Sequence, residues 1–318
     1  MLFRSGTSDI IQIDIPTGRT LPYALIQVMA GENAEVIYGL SSGTVKKLLR
    51  FNPFSGEVFE YNLPFSHPAR MIYSENDKKL YIAYQNTNKV SVLNTENQMF
   101  GEFEYAASLT VSDIKVDPIR RRIYLACENK IAILNQDDFS VLTIANVSNT
   151  EAHDLAIIPA EGLMIAKRNN HSAVHCFKVD NDEVLLQNSF ISQTNLHGQF
   201  QINETDGWIT SPGLSQDGQI LALSFDLTNV VGHFDSNYGG INNILSHSDD
   251  LYFSFDFSSY EGKADIFNAH NFLFKYRIII PKTSTALFCT NSNQERLVVF
   301  NSDLSNALYA INIAEFLP

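Results

Sequence analysis

The sequence contains few cysteines and few charged residues. Charged residues make up 18% of the chain and apolar residues 45%, a balance that excludes an intrinsically disordered protein. The cysteines are three, an odd number, and each lies among apolar residues in a predicted strand: Cys127, Cys176 and Cys289. That setting indicates buried thiols rather than a disulfide framework or a catalytic nucleophile.

Basic residues are also scarce. The chain has 22 Lys and Arg against 35 Asp and Glu, which gives a formal net charge of −13. Its strongest basic run, residues 120–122, lies in a predicted hairpin turn and is interpreted as a solvated turn. This balance argues against nucleic acid or an anionic membrane surface as a partner. No apolar run approaches the ~18 residues of a spanning helix, so we expect no membrane span.

The short motifs of several enzyme classes are missing. The sequence has no Gly-x-Ser-x-Gly, no His-Glu-x-x-His, no phosphate-binding or dinucleotide glycine motif and no Cys-x-x-Cys-His. The acidic segments 135–138 and 180–183 do not have the spacing of a calcium loop. We therefore predict no catalytic residue, no metal and no cofactor. Enzyme status stays open, with a non-enzyme favoured.

What the sequence does contain is an internal repeat. Residues 69–97, ARMIYSENDKKLYIAYQNTNKVSVLNTEN, recur as residues 111–138, VSDIKVDPIRRRIYLACENKIAILNQDD, and looser copies lie on both sides. Each copy has an apolar strand, a polar turn, a β-branched and aromatic strand, an Asn-rich turn, an alternating strand and a weaker fourth strand. Such short strands with regular turn signals are typical of all-β folds.

The repeat length predicts the architecture. The second strands start 44, 43 and 40 residues apart, at Val36, Leu80, Ile123 and Leu163. A four-stranded unit of ~40–45 residues is the period of a propeller blade. One such sheet cannot cover both of its faces, so neighbouring sheets must stack around an axis. We predict an all-β protein, a β-propeller of about seven four-stranded antiparallel blades around a central channel.

Blade boundaries are less regular in the second half of the chain. We assign blades to 191–240, 241–275 and 276–318. Within the first of these, GLSQDGQILALSF is predicted as the first-strand to second-strand hairpin. This register makes 191–211 an insertion or an irregular fourth strand. The alternative, a regular step, places the second strand near Trp208.

The N-terminal segment DIIQIDIPTGRTLPY matches the third strand, turn and fourth strand of the repeat. The chain therefore begins halfway through a blade. One explanation is that an N-terminal strand completes the last blade. The other is a truncated gene, with residues 1–5 as non-native residues that resemble a translated sequencing adapter and 6–318 as a single propeller domain. Because 276–318 has four strand-like segments of its own, we favour the second.

The segments KLYIAYQNTNKVSVLN and RIYLACENKIAILN resemble the YVTN-type β-propeller repeat, and SQDGQILALSF resembles a WD40-type hairpin. The departures are alanines in place of the signature threonine and asparagines in place of its final aspartate: Ala83, Ala126 and Ala166, then Asn94, Asn135 and Asn301. The resemblance implies the fold. It implies function only broadly, because relatives include surface-layer and adhesin-like proteins, binding scaffolds and a minority of enzymes.

Four histidines are candidates for a channel or loop site. His67, His153 and His247 precede or begin predicted strands, and His197 lies in the irregular region. Their alternative role is to hydrogen-bond the loops between blades. His171 and His175 would stand ~13 Å apart on a strand, too far to share a metal.

Together these features predict a non-enzymatic binding scaffold that presents its loop faces to a protein or glycan partner. It would be a module of a larger exported bacterial protein, in an extracytoplasmic location. The alternative is an enzyme of lactonase-like hydrolase type at the channel mouth. That alternative requires charged or histidine side chains from at least three blades to converge there. Partner identity and oligomeric state stay open.

Overall fold

A computed structural model describes most of the chain, namely residues 9–12, 19–85, 87–105, 109–147, 154–168, 171–180, 183–196, 199–211, 215–216, 219–234, 241–248, 251–256, 262–280, 286–290, 296–301 and 306–313. Regular structure in these residues is β-strand throughout. The strands form seven sheets, numbered here in chain order.

Two short strands precede the first sheet, β1 (Asp9–Gln12) and β2 (Arg19–Thr20). Three sheets of four consecutive strands follow. Sheet 1 contains β3 (Leu25–Ala30), β4 (Ile37–Ser41), β5 (Lys47–Phe51) and β6 (Val58–Asn62). Sheet 2 contains β7 (Pro68–Ser74), β8 (Lys79–Tyr84), β9 (Lys89–Asn94) and β10 (Met99–Glu104). Sheet 3 contains β11 (Asp113–Asp117), β12 (Arg122–Cys127), β13 (Lys130–Asn135) and β14 (Val141–Asn146).

Four sheets follow in the second half of the chain. Sheet 4 contains β15 (Asp154–Ile158), β16 (Leu163–Lys167), β17 (Ala173–Asp180) and β18 (Glu183–Ile191). Sheet 5 contains β19 (Gln201–Asn203), β20 (Trp208–Thr210), β21 (Ser215–Gln216), β22 (Gln219–Ser224) and β23 (Val230–Phe234). Sheet 6 contains β24 (Ile241–Ser248), β25 (Leu251–Asp256), β26 (Gly262–Asn268) and β27 (Phe274–Ile280), with β1 added in parallel to β27. Sheet 7 contains β28 (Ala286–Thr290), β29 (Arg296–Asn301), β30 (Ala307–Asn312) and β2.

These small antiparallel sheets are arranged as a β-propeller, which confirms the predicted fold class. The described strands form seven sheets, of which six are counted as blades, and the sequence predicts about seven. Within a sheet, the strands differ in burial as a blade requires. β8 is buried along nearly its whole length, and the fourth strand β10 alternates between exposed and half-buried residues.

The described contacts divide the chain into two compact units. The first unit is Ile15–Glu128, Ala132–Ile144 and Thr283–Pro318, and the second is Met1–Asp14, Asn129–Ile131 and Ala145–Lys282. In the first unit, successive residues of β8 pack against the two different sheets on either side of sheet 2. Leu80 packs in a cluster with residues of sheet 1, and Tyr81 packs in a cluster with residues of sheet 3. Both faces of sheet 2 are therefore covered.

The second unit is built in the same way. Sheets 4 and 5 share a cluster that includes Ile165, Cys176 and Leu221. Sheets 5 and 6 share a cluster around Trp208 in which Phe234 and Phe267 meet edge to face, with ring centroids 5.5 Å apart. Aromatic pairs of this geometry contribute about 0.5–1.5 kcal/mol beyond the area that they bury.

The strand assignment of 276–318 was wrong. The predicted first strand of that segment is β27, which pairs with β26 in sheet 6. Sheet 7 instead takes its fourth strand from the N-terminal part of the chain, because Arg19 of β2 pairs with Leu308 of β30. The first explanation given for the N-terminal segment therefore describes the observed pairing of β2. Residues 1–8 lie outside the described residues.

The predicted hairpin within 215–224 forms, because β21 pairs with β22, but its place as the first and second strands of the blade was wrong. β19 and β20 are the first two strands of sheet 5, and Gln219–Ser224 is its third strand. The sequence feature that was overlooked is the turn at residues 203–207, which joins β19 to β20. Asn203 accepts the backbone N–H of Gly207 at 3.0 Å, and Gly207 has a φ of 72° that favours glycine. The regular step to Trp208 was the correct alternative.

The turns between third and fourth strands share one design that explains the asparagines of the repeat. The Asn52 side chain accepts the backbone N–H groups of Phe54 and Ser55 at 2.8 and 3.0 Å. The backbone N–H of Gly56 then donates to the Asn52 carbonyl at 2.9 Å, and Gly56 is left-handed. All three bonds recur at the turn that begins with Asn268. The turn that begins with Asn135 has the backbone bond and one of the two side-chain bonds. Asparagine suits this position because its side chain mimics a backbone turn.

In two of these turns the left-handed residue is a phenylalanine that fills the space between sheets. Phe139 has a φ of 60° and is 5% exposed. Its ring stacks on Phe103 of sheet 2 with centroids 3.9 Å apart. Phe272 takes the same conformation and lies over Gly232, where a Cβ atom would stand 2.0 Å from the ring. Packing in these turns outweighs a left-handed backbone cost of about 1–2 kcal/mol.

We expect Phe139→Ala to lower the free energy of unfolding by about 3–5 kcal/mol, because it empties a buried aromatic site. Phe139→Gly should be more stable than Phe139→Ala by about 0.5–1 kcal/mol, because only glycine adopts this φ without strain. Urea unfolding of both variants measures the difference. Equal stability of the two variants would contradict the role assigned to the backbone.

We expect Asn52→Ala to lower the free energy of unfolding by about 1 kcal/mol, through the loss of two side-chain acceptor bonds. Asn52→Asp keeps the acceptor oxygen and is the matched control. It should stay close to the unmodified protein in a thermal melt. Equal stability of Asn52→Ala and Asn52→Asp would contradict the role assigned to the Asn52 side-chain oxygen.

Candidate functional site

Each sheet has two chemically different ends. We define the turn end as the end with the first-to-second and third-to-fourth strand turns. The loop end carries the second-to-third strand loops and the connections to the next sheet. In the first unit the described loop-end segments are 21–24, 42–46, 63–67, 85 and 87–88, 105 with 109–112, and 128.

Charge is concentrated at the turn ends. In the first unit the described turn segments carry many acids and few bases: Glu32, Glu35, Glu57, Glu75, Asp77, Glu96, Asp137 and Asp138, with Lys78, Arg120 and Arg121. The described loop-end segments carry only Lys46 and Glu128 as charged residues. Their polar groups are instead hydroxyls, amides and one histidine: Ser42, Thr44, Ser66, His67, Gln85, Thr87, Asn88, Thr110 and Ser112. The loop-end segments between the strands therefore offer mostly neutral hydrogen-bonding groups, while charged residues occur at the adjoining strand ends, such as Lys89, Glu104 and Asp113.

His67 lies at the centre of the loop end of sheets 1 and 2. Its backbone N–H donates to the Gly43 carbonyl at 2.8 Å, and its carbonyl accepts the Gln85 N–H at 2.8 Å. It thereby joins three loops through its backbone. Its side chain is exposed, and so is that of Gln85.

The backbone of His67 is left-handed, with a φ of 56°. Histidine is one of the few non-glycine residues enriched in this region, yet Pro68 follows and restricts the residue before it further. The two backbone hydrogen bonds hold this conformation. Backbone strain of this kind concentrates at ligand sites, where it fixes the direction of a side chain.

Aromatic packing makes the loops around His67 rigid. The Phe65 ring meets Tyr84 edge to face with centroids 5.2 Å apart, and the Lys89 Nζ lies 4.6 Å above the Phe65 ring. The Tyr84 hydroxyl is 2.6 Å from the Ser91 Oγ. Burial raises the pKa of Tyr84, so this phenol stays neutral at ordinary pH.

The neighbouring loop is fixed by Asn88 and Tyr105. The Asn88 Nδ2 donates to the Tyr105 carbonyl at 3.0 Å and to the Glu104 Oε1 at 2.9 Å. The Tyr105 hydroxyl donates to the Thr87 carbonyl at 3.1 Å. Asn88 is therefore a structural residue, whereas the exposed Gln85 is free to contact a ligand.

The four predicted histidines are not brought together by the described residues. His153 and His197 lie outside them. His247 lies in β24, where the pairing with β25 shifts between Ser246 and Ser248. Among the described residues, no group of three or more His, Cys, Asp and Glu has a geometry suited to a metal ion. Only His67 can be placed in a site.

The remaining residues considered from the sequence have structural surroundings. The three cysteines are buried thiols, and burial raises the pKa of Cys176 to about 11. His175 lies 2.7 Å from the Ser189 hydroxyl on the paired strand, and burial lowers its pKa. His171 lies in the loop before β17.

Sequence reasoning missed a buried ion pair in the second unit. The Lys167 Nζ lies 3.6 Å from the Asp154 Oδ2, and both side chains are almost fully buried. The Phe200 N–H donates to the same Asp154 oxygen at 3.1 Å, and the Lys167 Nζ lies 5.0 Å above the Phe200 ring. This arrangement fastens the connection between sheets 4 and 5. Asp154, which directly follows His153, was the residue from which the sequence could have indicated this ion pair.

Comparison with known proteins does not assign the chain to a family. No protein-family model matches the chain, and no curated protein matches it significantly. The described residues contain no helix long and apolar enough to cross a membrane.

We expect His67→Gly to fold with an unchanged or higher free energy of unfolding, because glycine adopts the left-handed conformation freely. His67→Val should lose about 1–2 kcal/mol, because a β-branched residue is strained there. Chemical denaturation of the pair measures this difference. If valine is tolerated as well as glycine, the loop does not impose the left-handed backbone.

Proposed function

We propose that the protein is a non-enzymatic binding scaffold whose loop end binds a saccharide chain. The observation that carries this proposal is the division of chemistry between the ends of the sheets. In the first unit, acids are concentrated in the turn-end segments, and the exposed polar side chains of the described loop-end segments are mostly neutral, among them Thr44, His67, Gln85 and Thr110. Hydroxyl and amide groups both donate and accept hydrogen bonds, as the hydroxyls of a sugar do.

The rigidity of the loops supports the same function. His67 and Gln85 present exposed side chains from backbone that is already hydrogen-bonded to neighbouring loops. A preordered surface loses less conformational entropy when a ligand binds. The resemblance of the repeat to YVTN-type propellers also favours a binding role, because adhesin-like proteins and binding scaffolds are among the proteins that carry it.

The proposal is tested by isothermal titration of the purified chain with three soluble probes: a neutral hexose oligomer, an N-acetylhexosamine oligomer and an oligomer containing one uronic acid. We expect saturable binding of at least one probe. The double variant His67→Ala/Gln85→Ala should weaken it at least tenfold, about 1.4 kcal/mol.

The control is Glu35→Ala, which removes an exposed turn-end side chain of sheet 1 and should leave the affinity unchanged. Lack of binding by all three probes would overturn the saccharide proposal. A protein partner that binds at the loop end would then be the next hypothesis to test. Equal loss of affinity in the control and the double variant would also overturn the assigned site.

A further inference from the structure

Arg70 differs from Arg50 and Arg120, two other partly buried arginines of the first unit. Arg50 reaches the Glu32 carboxylate at 3.4 Å, and Arg120 reaches that of Asp117 at 2.9 Å. Arg70 has no carboxylate within 4.0 Å among the described residues. Its one close contact is a 3.5 Å approach of Nη1 to the carbonyl of its neighbour Ala69, which is longer than a normal hydrogen bond.

The guanidinium of Arg70 is also partly removed from solvent. The residue is half-buried, and its Nε is buried without a hydrogen-bond acceptor among the described residues. A buried donor of a charged group without an acceptor costs free energy, and a carboxylate would satisfy it in bidentate geometry. Arg50 also has a buried Nε without an acceptor, but its Nη2 lies beside the Glu32 carboxylate. At Arg70 the buried Nε is combined with the lack of any carboxylate among the described residues, and this combination points to an anionic ligand.

Arg70 belongs to the loop end by the register of sheet 2. It pairs with Ala83 on β8, and Pro68 pairs with Tyr84, the residue before Gln85. Its Cα is three residues from that of His67, which places the two at most about 10 Å apart. The left-handed His67 and the register shift between Pro68 and Arg70 shorten this distance. One sugar unit with its neighbour spans such a distance, so a single ligand can contact both side chains.

The face of β7 that bears Arg70 packs in the cluster shared by sheets 2 and 3. Ile72, two residues further along the same face, lies against that cluster, and Ala83 belongs to it. The aliphatic part of Arg70 can pack on these apolar residues while its charged head faces the loop end. Such packing leaves the guanidinium in an environment of low dielectric constant, where pairing with an anion is strengthened.

We propose that Arg70 reads a carboxylate on the ligand, so that the preferred ligand is an acidic saccharide containing a uronic acid. This inference rests on the proposed function and names the ligand class of the same site. The net charge of −13 opposes long-range attraction of polyanions. An isolated carboxylate on an otherwise neutral chain therefore fits the surface better than a sulfated or phosphorylated polymer.

The test compares a saccharide that contains one uronic acid with its methyl ester, which has the same hydroxyls and no charge. We expect the acid to bind the unmodified protein at least tenfold more tightly than the ester. Arg70→Gln should abolish that preference and leave ester binding unchanged. Arg70→Lys should retain part of it, because it keeps the charge without the bidentate geometry.

The matched control is Arg19→Gln, which changes the net charge equally on the exposed strand β2 and should keep the full preference. Equal binding of acid and ester to the unmodified protein would overturn the inference and leave the saccharide site standing. Failure of both compounds and of the neutral probes to bind would overturn the proposed function as well. If Arg70→Gln does not fold, the comparison of acid and ester on the unmodified protein still decides.

Discussion

The structure depends on the covering of both faces of very thin sheets. β8 is buried on both faces because Leu80 packs in a cluster with sheet 1 and Tyr81 in a cluster with sheet 3. A fully buried aliphatic or aromatic side chain contributes about 1.5–3 kcal/mol, so neither face can be left to solvent. The repeat length follows from this constraint, because each blade has to match the next in strand length and pitch. The left-handed Phe139 and Phe272 fill gaps between sheets for the same reason.

The same constraint explains two of the turn-end carboxylates, Asp77 and Asp206. The Gln136 Nε2 donates to the Asp77 Oδ2 at 2.8 Å and to the Tyr81 hydroxyl at 3.1 Å, which joins a turn of sheet 3 to one of sheet 2. In the second unit, the His270 Nδ1 lies 2.7 Å from the Asp206 Oδ2 and joins sheets 6 and 5. Burial, followed by the hydrogen bond to Asp77, raises the pKa of Tyr81, so its phenol remains a donor. These carboxylates hold neighbouring sheets together.

The sequence predicted what is repeated and local. Its strand pattern gave the fold class, and the regular spacing located the second strands of the first four sheets correctly. It failed where strands are interchangeable, because β27 resembles a first strand in sequence and yet pairs as a fourth one. The N-terminal match to a fourth strand allowed β2 to join β30, but the misassigned β27 made the last blade look complete and favoured truncation instead. For the site, His67 was identifiable because it stands between blades. Arg70 was not, because its half-burial and the lack of a carboxylate beside it among the described residues arise only from the folded neighbours.

The separation of the two ends has a consequence for evolution of the surface. Turn-end residues such as Asp77 and Gln136 are tied to a neighbouring sheet, so their replacement disturbs the stacking that all blades share. At the loop end, the loops around His67 are held by backbone hydrogen bonds, which do not depend on the identity of the exposed side chains. Substitution of Gln85 or Thr44 therefore costs little stability, and surface changes of this kind stay within about 0.5 kcal/mol. The loop end is thus the part of each sheet where binding chemistry can vary while the fold is kept.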